Sequence, residues 1–278
     1  MNQGITTASQ RWLAMVETEH AQTARVRGPE PLPEDHWGPF ADRFRADPFR
    51  TNDPLVQRLL RELEPHHTLI DVGAGGGRLA LPLSLRCKQV IAVEPSDSMC
   101  AVLREEAQQA QRDNVAVVQA KWEDAEVDQA DAVLCVHVLY TIRGIGGFVR
   151  KMEAHAREKV LVVMYTDPPQ SQNYPLWPSV HGEERLPLPC LQELMAVLWE
   201  MGTYPSLEML PPQEQRGFES RERAFQQLKN RLFLVPGSDK EHMLEKALDE
   251  MLEEVDGRFQ IKGAPTHRPG LVSWRPSH

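Results

Sequence analysis

The sequence predicts an α/β fold built on a mostly parallel sheet, and three observations carry that expectation. From Thr68 to about Leu210, short apolar β-branched runs alternate with helical patterns, as right-handed crossovers between parallel strands require. The first run ends in Asp71 and leads directly into Gly73, Gly75, Gly76 and Gly77, after which Leu79 and Leu83 open a helical pattern. A second run, KQVIAVE at Lys88 to Glu94, is short, β-branched and closed by a carboxylate.

The elements follow in chain order. Residues 1–67 precede the sheet and read as an N-terminal helical cap: a helix beginning around Trp12, Leu13, Met15 and Val16, the interruption GPEPLPEDHWGPF, and an amphipathic stretch from Pro54 to Leu63. His66 and His67 enter the first strand with no third metal ligand at a useful spacing, so no metal site is expected. The sheet-forming core is expected over 68–210. Beyond it, Glu219 to Leu234 carries Ala224, Phe225, Leu228 and Leu232 at helical spacing. After Pro236-Gly237, Ser238 and Glu241 have capping-box spacing and open a second helix, with Leu244, Ala247, Leu248, Met251, Leu252 and Val255 in one stripe. That stripe reads as packing surface or as the underside of a lid. Region 211–268 is therefore expected as a helical insertion or lid, and 269–278 as a last core strand.

The glycine turn has a chemical meaning. Glycines reach backbone angles closed to other residues and leave no side chain between main chain and ligand. The amides beyond them open a helix, which attracts negative charge. Glu94 lies 19 residues after Gly75, about the distance at which doubly wound folds place an acid for ribose hydroxyls. A nicotinamide fingerprint fits only in the register Gly75, Gly77, Ala80, which leaves Gly73 unexplained and gives Asp71 no role. An NAD(P)-dependent oxidoreductase is thus the enzyme alternative.

Asp71, Gly73, Gly75 and Gly77 resemble, position by position, the first motif of class I S-adenosylmethionine-dependent methyltransferases. The resemblance continues through EPSDSM at Glu94 to Met99, VVQAKWEDAEV at Val117 to Val127, DAVLCVHVLY at Asp131 to Tyr140 and KVLVVMY at Lys159 to Tyr165. It implies a Rossmann-like seven-stranded mostly parallel sheet, with TYPSLEML (Thr203 to Leu210) as sixth strand and PGLVSWRP (Pro269 to Pro276) as an antiparallel seventh. It implies S-adenosyl-L-methionine as cofactor, held by Asp71, Gly73, Ala74, Gly75, Gly77, Glu94, Pro95, Met99, Trp122, Glu123 and His137. One position departs from the pattern: Lys121 stands where many members have the acid that reads the adenine amino group. That task is therefore assigned to Trp122, through its backbone amide, and Glu123.

Methyl transfer from a sulfonium is an in-line displacement in which the protein chiefly aligns the acceptor and excludes water. Motifs consequently reveal the cofactor better than the acceptor. His137, just past the apolar run Ala132 to Val136, is the candidate general base, or else orders the cofactor. Trp37, Phe40, Tyr140, Tyr174 and Trp177 are the candidate substrate contacts, the last two in a long proline-rich loop after the fifth strand. A small-molecule acceptor is expected. The same motifs fit a cofactor-binding protein without transfer activity.

A net charge of −9 argues against a dedicated nucleic-acid binder. Four widely spaced cysteines without a C-x-x-C pair read as core residues in a reducing compartment. Neither a signal peptide nor a membrane-length apolar run is evident, so a cytoplasmic monomer or homodimer is expected.

Overall fold

The computed structural model describes residues 6–28, 35, 38–213 and 215–276, without the side chains of 39, 40 and 43. The helices are α1 (Ala8–Arg27), α2 (Pro54–Leu60), α3 (Ala80–Ser84), α4 (Asp97–Gln109), α5 (Ile145–His155), α6 (Trp177–His181), α7 (Leu191–Glu200), α8 (Arg221–Arg231) and α9 (Asp239–Met251). The strands are β1 (Thr68–Val72), β2 (Gln89–Val93), β3 (Val115–Val118), β4 (Ala130–Val136), β5 (Ala156–Tyr165), β6 (Ser206–Met209), β7 (Leu252–Val255), β8 (Arg258–Ile261) and β9 (Pro269–Trp274). Seven of them form one sheet, as expected, and its order is β3-β2-β1-β4-β5-β9-β6; β7 and β8 pair separately.

The chain forms two compact units. The sheet unit comprises Leu32–Val163, Met201–Glu208 and Leu271–His278; the helical unit comprises Met1–Pro31, Met164–Glu200 and Met209–Gly270.

In the sheet unit β1 pairs in parallel with β2 on one side and β4 on the other, which explains its continuous apolar character. Val72 lies in register with Val93 and Cys135, and Val93 with Val118. Gly73, Glu94 and Val136-His137 thus leave the sheet at one edge, the carboxyl ends of parallel strands where such folds bind ligands. Local signals set the helix starts. Asp53 caps α2 by accepting the N–H groups of Leu55 and Val56, and Pro54 occupies the first turn, where its missing N–H costs nothing.

The helical unit has its own core, in which Leu228, Leu232, Leu244 and Leu248 pack with Leu176 and Trp177. The stripe on α9 is therefore packing surface. Its helix also ends earlier than the periodicity suggested: Leu252–Val255 turns back through Asp256-Gly257 to pair antiparallel with Arg258–Ile261. Both turn residues have positive φ, +50° and +75°, the geometry that favours Asp-Gly in a two-residue hairpin. The expected capping box at Ser238 is not formed. Instead Glu241 accepts the Gly237 N–H at 2.9 Å and pairs with Lys229 at 3.0 Å.

The largely covered side chain of Arg185 ties α1 to the segment before α7. It lies over the Trp177 ring at 4.4 Å and donates to Glu19, to Gln22 Oε1 at 2.9 Å and to Thr23 Oγ1 at 2.7 Å. No helix among the described residues is long and apolar enough to cross a membrane.

Candidate functional site

The glycine turn is pinned to the end of β2. The N–H groups of Gly73 and Ala74 both donate to Val93 O, at 2.8 and 3.1 Å, and the Gly75 N–H donates to Glu94 Oε2 at 2.8 Å. Gly73, Gly75 and Gly77 all have positive φ, and they divide their work. A Cβ at Gly73 would collide with Val138, and one at Gly77 with Leu103 of α4. At Gly75 it would meet no heavy atom within 4 Å. Gly73 and Gly77 thus permit close packing of the protein on itself, while Gly75 faces open space.

Glu94 is 5 % exposed, and its other oxygen accepts the Ser96 N–H at 2.9 Å. Burial pushes its carboxyl above the ordinary range, against the opposing effect of these two bonds. Asp71 is 2 % exposed, and its Oδ2 has no hydrogen-bond partner among the described residues. Burial, reinforced by the charge of Glu94, pushes the Asp71 carboxyl up to about 7.

The sign of the consequence follows from linkage. Between the ordinary carboxyl value near 3.8 and about 7, the folded protein holds a proton on Asp71 that the unfolded chain has released. Stability therefore falls as pH rises through that interval, by up to about 1.4 kcal/mol per pH unit. Asp71→Asn is expected to remove this component, raising the stability of the ligand-free protein at pH 8 relative to pH 5. Urea titrations of both proteins at the two pH values check it; parallel pH dependences would contradict the burial argument.

A cavity of about 420 Å³ opens in the sheet unit at this edge. Of the candidate cofactor residues, Gly73, Pro95, Trp122 and Glu123 line it together. The Trp122 indole is 3 % exposed and donates to Phe148 O at 3.3 Å, with Lys151 Nζ 5.1 Å from its ring. Lys151 also donates to the carbonyl oxygens of Glu123 and Ala125 at 2.9 and 2.7 Å, fixing this loop to α5. Asp71, Ala74, Gly75, Gly77, Glu94, His137 and Met99 are not among the lining residues, and Met99 packs with Ala41 and Val102. The sequence reading missed Val138, Thr141, Arg143 and Phe148, which also line the wall. Their signal was their place in the loop and helix that follow β4, at the same sheet edge.

His137 has φ +59°, and its Nδ1 lies 3.0 Å from the Tyr140 hydroxyl. Tyr140 is 3 % exposed, so it supports His137 and presents little surface to a ligand. Tyr174 and Trp177 belong to the helical unit: Trp177 is buried in its core and Tyr174 packs against that core. Packing thus occupies the Trp177 ring that was expected to contact substrate. Trp37 and the side chain of Phe40 lie outside the described residues.

At the opposite ends of the strands Glu158 joins His66 and His67, a third group that spacing alone did not reveal. His67 Nδ1 accepts the Glu64 N–H at 3.2 Å, which leaves the proton on Nε2, facing Glu158 Oε2 at 3.5 Å. That tautomer gives Nε2 no lone pair for a metal.

Comparison with known proteins agrees with this arrangement. Residues 70–164 match the family model described as a methyltransferase domain. The ubiquinone biosynthesis O-methyltransferase of Rickettsia akari (strain Hartford) is 24 % identical over 135 residues, 46 % of this chain and 52 % of that protein. The chain thus matches about half the length of that curated relative. Among solved structures, the YcgJ protein of Bacillus subtilis superposes with a TM-score of 0.54 at 17 % identity, covering 80 % of this chain and 98 % of that one. The magnesium protoporphyrin IX methyltransferase of Synechocystis PCC 6803, solved with bound S-adenosylhomocysteine, gives 0.52 at 12 % identity, covering 97 % and 99 %. At these identities the structural likenesses speak to the fold.

Proposed function

We propose that the chain, whose residues 70–164 match a methyltransferase domain, is an S-adenosyl-L-methionine-dependent methyltransferase acting on a small-molecule acceptor. The observation that carries this reading is the convergence on one sheet edge of the buried acid Asp71, the open face of Gly75, the ribose-type acid Glu94 and the cavity lined by Gly73, Pro95, Trp122 and Glu123. The unsatisfied Asp71 Oδ2, in a carboxyl raised by burial, suits a site completed by a positively charged ligand.

The residues divide the task by position. Glu94 would accept the ribose hydroxyls, Gly75 would admit the cofactor's methionine end, and the Trp122 amide with the Glu123 carboxylate would read the adenine edge. The bound cofactor supplies an activated methyl group on a sulfonium. The chain's part is to hold the acceptor in line and exclude water, which contributes roughly 7–11 kcal/mol in favourable cases. Direct calorimetry on the purified protein is expected to show binding of both S-adenosylmethionine and its demethylated product. Binding of a nicotinamide dinucleotide with neither of these would overturn the reading.

His137 is assigned the acceptor's proton, with Tyr140 holding its Nδ1 side. Once an acceptor is found, His137→Gln is expected to lower turnover by about a hundredfold, within the range for a lost acid–base group, with unchanged affinity for the demethylated cofactor. Unchanged turnover would remove the residue from the chemistry; lost affinity would assign it to cofactor binding.

A further inference from the structure

Asp35 precedes the start of α4 by some sixty residues, yet its carboxylate sits there. Ser96 Oγ donates to Asp35 Oδ1 at 2.8 Å and lies 3.0 Å from Oδ2. The Ser98 N–H reaches Oδ2 at 3.0 Å, and Ser98 Oγ donates to the same oxygen. A carboxylate at a helix start is favourable in itself. But α4 already has a cap, because Ser96 Oγ accepts the Met99 N–H. What Asp35 adds is a hold on Ser96, whose own N–H donates to Glu94 Oε1 at 2.9 Å.

Residues 41–45 run along α4 in the same direction. Ala41 and Phe44 pack with Met99 and Val102, and Arg45 pairs with Glu105 at 2.5 Å and Glu106 at 2.6 Å. The same stretch also touches the glycine turn: a Cβ at Gly76 would lie 3.2 Å from Phe44 O. One segment therefore braces both the turn after β1 and the loop after β2. Its polar anchor at the Ser96 end is Asp35.

We propose that Asp35 is a cofactor-positioning residue, which acts through Ser96 to hold Glu94 in the orientation that receives the ribose. This rests on the reading of Glu94 as the ribose-binding acid. The hydrogen bonds run in sequence from the Asp35 carboxylate through the Ser96 hydroxyl and backbone to the Glu94 carboxylate. A shared charge effect agrees with the closeness of the two acids, since Asp35 adds to the rise of the Glu94 carboxyl that burial begins.

The test is a double-mutant cycle on affinity for S-adenosylhomocysteine, measured by calorimetry. Asp35→Ala is expected to weaken binding about tenfold in the wild-type background, the scale of one lost charge-assisted bond, and to cause no further loss in a Glu94→Ala background. Ser96→Ala keeps the N–H that Glu94 uses and is expected to reproduce the Asp35→Ala effect. If Asp35→Ala loses its helical signal by circular dichroism, Asp35→Asn carries the same comparison. Losses that add in the double variant, or unchanged affinity in the Asp35 variant while Glu94→Ala is weakened, overturn the inference and leave the cofactor reading standing. A wild-type protein that binds no S-adenosylhomocysteine overturns both.

Discussion

Gly75→Val is expected to weaken S-adenosylmethionine binding severely while leaving the protein folded. Gly75 has φ +55°, and a Cβ there would meet no protein atom within 4 Å. The fold therefore suffers only the backbone penalty of a branched residue in the left-handed region, about 1–3 kcal/mol. The cofactor suffers a direct clash, because the side chain projects into the space that its methionine end is proposed to fill. Reorientation of the turn would also disturb the N–H that Gly75 gives to Glu94. A loss of more than about a hundredfold in affinity is expected, with the far-ultraviolet circular dichroism of the parent. Wild-type affinity in the variant would show that this turn does not hold the methionine end.

Glu94→Ala is expected to weaken cofactor binding by about tenfold to a hundredfold, from the roughly 1.5–3 kcal/mol of a charge-assisted bond in a partly dry site. Removal of the carboxylate also strands two donors, the N–H groups of Gly75 and Ser96. Glu94→Gln keeps the shape and loses the charge, so its affinity should fall between the two. Calorimetry with the demethylated cofactor ranks all three proteins. Equal affinities across the series would place the ribose elsewhere.

The parallel strands were legible in the sequence because burial on both faces demands continuous β-branched runs. The glycine turn was legible because three positive-φ positions demand glycine. The end of α9 was misjudged for a definable reason: Leu252 and Val255 continue the helical period, and only Asp256-Gly257 marks the reversal that makes them a strand. Trp177 looked like loop surface because the helices that cover it lie about fifty to seventy residues further along. Asp35 and Glu158 were unreadable in a stronger sense. Nothing local distinguishes a carboxylate that holds a helix start sixty residues away, or one that faces a histidine about ninety residues earlier in the chain, from any exposed acid. Within the cavity, the predicted Gly73, Pro95, Trp122 and Glu123 came from motif register; Val138 to Phe148 came only with the folded sheet.

The contrast between Gly75 and Gly77 bears on how variant libraries of this protein should be interpreted. Leu103 presses on Gly77 from α4, whereas Gly75 has no neighbour to offend. In a screen scored by ligand capture alone, bulky substitutions at the two positions would be indistinguishable, one through loss of the site and the other through loss of the molecule that carries it. Scoring cellular abundance beside capture separates them: variants at 75 should accumulate and fail to bind, and variants at 77 should be cleared. The spacing that identifies the motif thus joins a binding position to a folding position, and tolerance at one says nothing about tolerance at the other.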